Sequence, residues 1–175
     1  MELTTLSALL LFLAEGQSGY DVRRLFQTTP VGLFSDSPGA IYPALARLER
    51  AGLFISEAQA SARRRRVYRR TPAGSAALDE WLRAPITAEA VERRPHEIDL
   101  RYVLLAFRLG GGNARRFLDE AAQAFDRRIA ELEAFRAANS AIGAPSLDAL
   151  DLGIRLFRTR LRWCRDTQRR WEEER

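Results

Sequence analysis

The sequence predicts a mainly α-helical chain in two parts: a small helical domain containing a two-stranded hairpin, then a longer all-helical region. Three observations carry this. Short amphipathic segments with capping signals fill the first eighty or so residues, and a stretch of period-two patterning interrupts them after Gly52. A proline-bounded segment over 84–95 then leads into long helical stretches.

The first helical segment covers residues 4–14 and ends before Gly16. It is apolar but too short to span a bilayer, and it has neither a basic lead nor a cleavage pattern, so it is expected to be a buried helix. Ser18 with Asp21 three positions on forms a capping box that starts a second helix over Gly19–Thr28. Pro30 and Gly32 mark the break after it.

The third helix has the best specified start. Ser37 can accept from the open amides of the first turn, and Pro38 stands where a missing N–H does no harm. Gly52 supplies the stop. Ile41, Leu45 and Leu48 recur at i, i+4 and i+7 as a narrow buried stripe, leaving Gly39, Ala40, Pro43, Ala44 and Arg47 towards the open side and Tyr42 beside the stripe.

Residues 54–57 and 65–70 are the two candidate strands, with Ile55 and Val67 expected to point inward. Thr71 followed by Pro72 repeats the cap-plus-proline start, and Ala76, Leu78, Trp81 and Leu82 continue a fourth helix to about Arg83. Three helices, a hairpin and a closing helix make a winged helix-turn-helix.

The expected domains are therefore 1–83 for the winged helix-turn-helix, 84–95 for a linker and 96–175 for a helical dimerisation and effector part. Within the last, helices are expected over 96–109, 114–138 and 147–172, with Asn113 and Ser146 as caps. Leu150, Ile154, Phe157, Leu161 and Cys164 line one face of the final helix. Helices this long leave apolar surface for another chain, which predicts a homodimer.

Charge and composition narrow the function. The 28 basic residues are all arginine and outnumber 23 acids, giving +5 and a pI near 10.3, which favours an anionic partner. The net charge is shared between the halves, but Arg63, Arg64, Arg65, Arg66, Arg69 and Arg70 are grouped without an acid among them. Placed directly after the third helix, they can lie along a phosphate backbone and supply affinity more than discrimination.

Specificity falls to the third helix. Its amino end would face base edges in the major groove, with Arg47 as the long hydrogen-bonding side chain and Tyr42 able to send its hydroxyl to phosphate. The short lead before the first helix leaves wing and third helix to do the contacting. The candidate duplex-DNA contacts are Ser37, Gly39, Ala40, Tyr42, Pro43, Arg47, Arg64, Arg65, Arg66 and Arg69.

Other chemistries find less support. One cysteine, Cys164, allows no internal disulfide and suits the cytoplasm; one histidine, His96, cannot complete a zinc site, so no cofactor or metal is expected. Cys164 and His96 lack a third orienting group or oxyanion donors, and the chain reads as no enzyme. Trp81, Tyr102, Phe157 and Trp163 are candidate contacts for a small aromatic or phenolic effector, set against simple core packing. Carboxylates on the long helices read as partners of arginines three or four positions away. The competing functions are a winged-helix protein-interaction or structural module and a small-molecule sensor.

The motifs also carry a resemblance. Ser37-Pro38-Gly39-Ala40-Ile41-Tyr42-Pro43-Ala44-Leu45, then Arg47-Leu48-Glu49 and Gly52-Leu53, with Gly19-Tyr20-Asp21 before them, resemble the PadR-type transcriptional regulators. Arg66-Val67-Tyr68, Thr71-Pro72-Ala73-Gly74 and Leu78-Asp79-Glu80-Trp81 extend the likeness, and the helical tail resembles the branch with a long C-terminal region. The run Arg63–Arg66 departs from the family's glycine-containing turn.

The resemblance implies a homodimer whose winged domains contact successive major grooves of a partly palindromic operator, usually to repress transcription. Tyr42 and Pro43 would sit at the DNA side and the wing arginines beside the backbone. It also implies that some relatives release DNA on binding phenolic or other aromatic molecules.

Overall fold

A computed structural model describes residues 3–34, 38–58 and 66–173. The element order is α1 (Thr5–Leu13), α2 (Gly19–Thr28), a 3-10 turn (Pro30–Phe34), α3 (Pro38–Arg50), β1 (Phe54–Ala58), β2 (Arg66–Arg70), α4 (Pro72–Arg83), α5 (Ala88–Arg93), α6 (Pro95–Leu109), α7 (Gly111–Ala138) and α8 (Ala144–Glu173). The fold is a winged helix-turn-helix followed by a helical bundle. Two compact units divide at Ala84 and Pro85.

Local chemistry sets the first unit. Thr4 caps α1 by accepting from the Ser7 amide. At α2 the capping box is complete: the Asp21 amide donates to Ser18 Oγ at 3.3 Å while the Ser18 amide donates to the Asp21 carboxylate at 3.1 Å. Ser37, the expected cap of α3, lies outside the described residues.

α3 ends in a Schellman motif: the Leu53 amide donates to the Leu48 carbonyl and the Gly52 amide to that of Glu49, both at 2.9 Å. This demands the left-handed backbone that Gly52 takes at φ 72°. Thr71 then caps α4 through the Gly74 amide, and its hydroxyl donates to the Gly52 carbonyl at 2.7 Å. One stop and one start are thereby joined.

The core of this unit is Leu9, Leu10 and Leu11 of α1, Val22 of α2, Ile41, Leu45 and Leu48 of α3, Phe54 of β1, and Leu78 and Leu82 of α4, all fully or almost fully buried. The expected stripe of α3 is thus what α1 and α2 pack against.

The hairpin corrects one expectation. β1 and β2 pair antiparallel with Phe54 opposite Arg70 and Ser56 opposite Tyr68. Phe54 is buried against the Tyr68 ring, at 5.7 Å between centroids, whereas Ile55 is half exposed. The bulky Phe54 claims the inner face, and alternation then turns Ile55 and Val67 to the other side. A third extended segment joins them: Tyr68 exchanges two backbone bonds with Gly16 and Gln17, each 2.9 Å.

In the second unit, α7 and α8 are antiparallel, since Arg136 pairs with Asp151, Glu133 with Arg158, Asp126 with Arg165 and Arg115 with Glu172. Its core holds Ile98, Leu104 and Leu105 of α6, Phe117, Leu118, Ala121, Phe125 and Ile129 of α7, and Ile154, Leu161 and Cys164 of α8.

Three sequence expectations change here. The stretch 84–95 contains α5, capped by Thr87 and burying Ala90 and Val91, so it is largely helical. α7 begins at Gly111 after Gly110 at φ 78°, and Asn113 instead sends its amide back to the Leu109 carbonyl at 2.8 Å. α8 begins at Ala144, which puts Ser146 inside its first turn. Among the described residues, no helix is long and apolar enough to cross a membrane.

Candidate nucleic-acid interface

With Ile41, Leu45 and Leu48 turned inward, α3 presents Gly39, Tyr42, Pro43, Ala46, Arg47 and Arg50 to solvent. Ala40 is half buried, and Ala44, expected on the open side, is fully buried. Pro43 lies within the helix and has no N–H for the preceding turn. The exposed ridge is therefore small-residue surface from which Tyr42, Arg47 and, in the last turn, Arg50 stand out as hydrogen-bonding groups.

Tyr42 is 45% exposed, and its ring lies across the start of α2. A Cβ on Gly19 would come within 2.8 Å of the Tyr42 ring, so the absence of a side chain there lets the ring lie flat. Tyr20 beside it is exposed as well, an aromatic that sequence reasoning did not single out.

The described wing arginines divide into two kinds. Arg66, 62% exposed, sends Nη2 to the Glu49 carboxylate at 3.1 Å, and Arg69 sends Nε to Glu57 at 3.2 Å, also in the open. Exposed pairs of this sort contribute about 0–1 kcal/mol to stability, and each leaves further guanidinium donors free for a phosphate. Arg70 behaves differently. Its Nη1 donates to the Leu11 carbonyl, and its backbone amide donates to Glu15, so it braces the wing against α1.

Glu49 also accepts from Ser56 Oγ, a contact that no sequence pattern announces. Burial is the main cause that raises the Tyr68 hydroxyl pKa, with Glu49 adding to it. Ser37, Arg64 and Arg65 lie outside the described residues.

The four candidate effector residues are divided between the two units. Trp81 is half buried on α4 in the first unit. In the second, Tyr102 of α6 meets Trp163 of α8 edge to face at 5.1 Å, and Trp171 Nε1 donates to the Tyr102 hydroxyl at 3.0 Å. Phe157 packs on Phe125 of α7 at 6.1 Å.

On the same facing sides of α6 and α8, Arg160 donates to Asp99 at 3.4 Å. Asp99 Oδ1 and Arg160 Nε are buried without a hydrogen-bond partner. Burial raises the Asp99 pKa despite Arg160, and it pushes the Cys164 thiol up to about 12. A thiol so buried is a poor nucleophile. Among the described residues, no group of three or more His, Cys, Asp or Glu side chains could hold a metal ion.

Residues 9–80 match the transcriptional regulator PadR-like family. No protein of curated function matches the chain. Among solved structures, it is similar to a PadR-like transcriptional regulator from Bacillus cereus at 20% identity, covering 97% of this chain and 99% of that one with a TM-score of 0.43. It is also similar to Bacillus subtilis PadR in complex with operator DNA, at 18% identity, 95% and 97% coverage and a TM-score of 0.42. The same Bacillus subtilis protein in complex with p-coumaric acid gives 18% identity, 97% and 99% coverage and a TM-score of 0.42.

Proposed function

We propose, from the match of residues 9–80 to the transcriptional regulator PadR-like family, that the chain is a sequence-specific double-stranded DNA-binding regulator. It acts as a homodimeric repressor on a partly palindromic operator, in the cytoplasm and without a cofactor. The observation that carries this reading is the division of α3 between a fully buried face and an exposed one bearing Tyr42 and Arg47.

In this reading α3 enters the major groove, where Arg47 reads base edges and Gly39, Ala40 and Pro43 allow close approach. Tyr42 donates to phosphate, and Arg66 and Arg69, with Ser37, Arg64 and Arg65, attend to the backbone. Residues 1–83 are the reading head, 84–95 the connection and 96–175 the dimerising part.

Pairing of two copies is supported by large apolar side chains left in solvent on the second unit. Phe107 is 81% exposed, and Val103, Leu152 and Leu156 are all exposed. The two reading heads would then address half-sites about 34–36 Å apart.

A small aromatic effector is a further part of the proposal. The rings of Tyr102 and Trp163 beside the unpartnered atoms of Asp99 and Arg160 offer stacking area next to polar groups, and Trp81 and Phe157 are the other candidates. The effector acts by favouring one of two dimer states.

Selection of genomic fragments by the purified protein tests the function. Recovery of an inverted repeat supports it. Uniform recovery of all fragments points to a winged-helix module without sequence readout.

A further inference from the structure

Glu49 is an acid at the edge of a surface that the DNA-binding reading assigns to a polyanion. It stands in the last turn of α3, just before the Gly52 stop, with its side chain 30% exposed. Its carboxylate accepts from Ser56 Oγ on β1 and from Arg66 Nη2 on β2, so one residue of the reading helix holds both strands of the wing.

Charge alone opposes such a placement, because a carboxylate near phosphate repels it and lowers the attraction of the neighbouring arginine. Geometry supplies a countervailing use. A guanidinium has five N–H donors in a rigid fork, and the bond to Glu49 engages one side of the fork while Arg66 stays largely in solvent. The Ser56 bond ties β1 to the same carboxylate, so strand, arginine and helix share one anchor.

The second acidic pair in the wing lacks this construction. Glu57 and Arg69 are diagonal neighbours on one face of the hairpin, both in the open, and among the described residues neither bonds to α3. Glu57 therefore serves as a control for charge without positioning.

We propose that Glu49 is a positioning residue for operator reading. It sets Arg66 at a fixed offset from Tyr42 and Arg47, so that wing and helix engage one register of the duplex together. This rests on the DNA-binding reading and adds the residue that couples its two contact elements. Preorganisation of this kind favours the site at which both elements meet their partners at once.

The test uses the full-length protein with Glu49→Ala, Glu49→Gln, Ser56→Ala and Glu57→Ala. Affinity is measured for a selected operator and for an unrelated duplex, with the unfolding midpoint alongside. Glu49→Ala is expected to weaken operator binding by about tenfold, the scale of one lost charge-assisted bond, while binding to the unrelated duplex holds or tightens.

Glu49→Gln, whose amide oxygen still accepts from both partners, should recover most of the selectivity, and Ser56→Ala should fall between. Glu57→Ala should tighten binding to both duplexes slightly. If Glu49→Ala tightens both as Glu57→Ala does, or weakens both equally with a lower unfolding midpoint, the positioning role is overturned. Selective binding by the unaltered protein together with such a result removes this proposal alone; no selective binding by the unaltered protein removes it and the DNA-binding reading together.

Discussion

The two units use apolar residues differently. In the first, the large aliphatic side chains of α1, α3 and α4 are mostly enclosed, and what faces solvent on α3 is Tyr42, Arg47, Arg50 and small residues. In the second, a comparable interior coexists with Val103, Phe107, Phe135, Leu152 and Leu156 in solvent. A surface of hydrogen-bonding groups beside arginines suits a hydrated, charged partner, whereas exposed aliphatic and aromatic groups suit another apolar surface. Under the proposed function, the difference is that between a reading head and a pairing element.

The largest effect that would sharpen this contrast lies in the first core. Leu45→Ala should lower stability by roughly 2–5 kcal/mol in denaturant unfolding, since Leu45 is fully buried. Arg47→Ala, on the exposed face of the same helix, should leave unfolding near that of the parent while weakening operator binding. Equal destabilisation by both would break the assignment of faces on α3.

Next comes the second unit. Leu152→Glu with Leu156→Glu should convert a dimer into monomers in sedimentation, with little loss of helix by circular dichroism. A protein that sediments unchanged would show that this face is not where copies meet.

A smaller effect tests the wing. Arg66→Ala and Arg69→Ala should each reduce the slope of log affinity against log salt by about one, on operator and unrelated duplex alike. An unchanged slope would mean that neither arginine meets a phosphate.

The smallest concerns pH. The Asp99 carboxyl has its pKa raised in the folded state, so the native protein holds that proton more tightly than the unfolded chain does. Its contribution is therefore most favourable below the ordinary value of 3.8 and declines as pH rises through the raised value. Asp99→Asn should remove that part of the pH dependence from the unfolding midpoint.

Much of the first unit was legible because its signals are local. Ser18 with Asp21, Thr71 with Pro72, and Gly52 each specify a helix end through atoms three or four residues apart. The stripe of Ile41, Leu45 and Leu48 likewise follows from helical spacing alone.

What was missed depends on tertiary distances or on phase. Period two does not say which strand face is inward, and Phe54 decided that against Ile55. Ala44 looks like open-side surface by size, yet packing encloses it. Helical spacing also shows the stripe of Ile154, Leu161 and Cys164 without showing what covers it; those residues are buried within their own unit, and the large apolar residues that α8 exposes are Leu152 and Leu156. The Glu49 clasp joins residues seven and seventeen positions apart, which no local pattern announces.

Hydroxyl-radical footprinting of the full-length protein on a selected fragment tests the central claim most directly. Two protected patches on one face of the duplex, about one helical turn or a multiple of it apart, are predicted for a pair of α3 helices in successive major grooves. Protection spread evenly along the fragment, or none at concentrations where the protein is folded and paired, would contradict it.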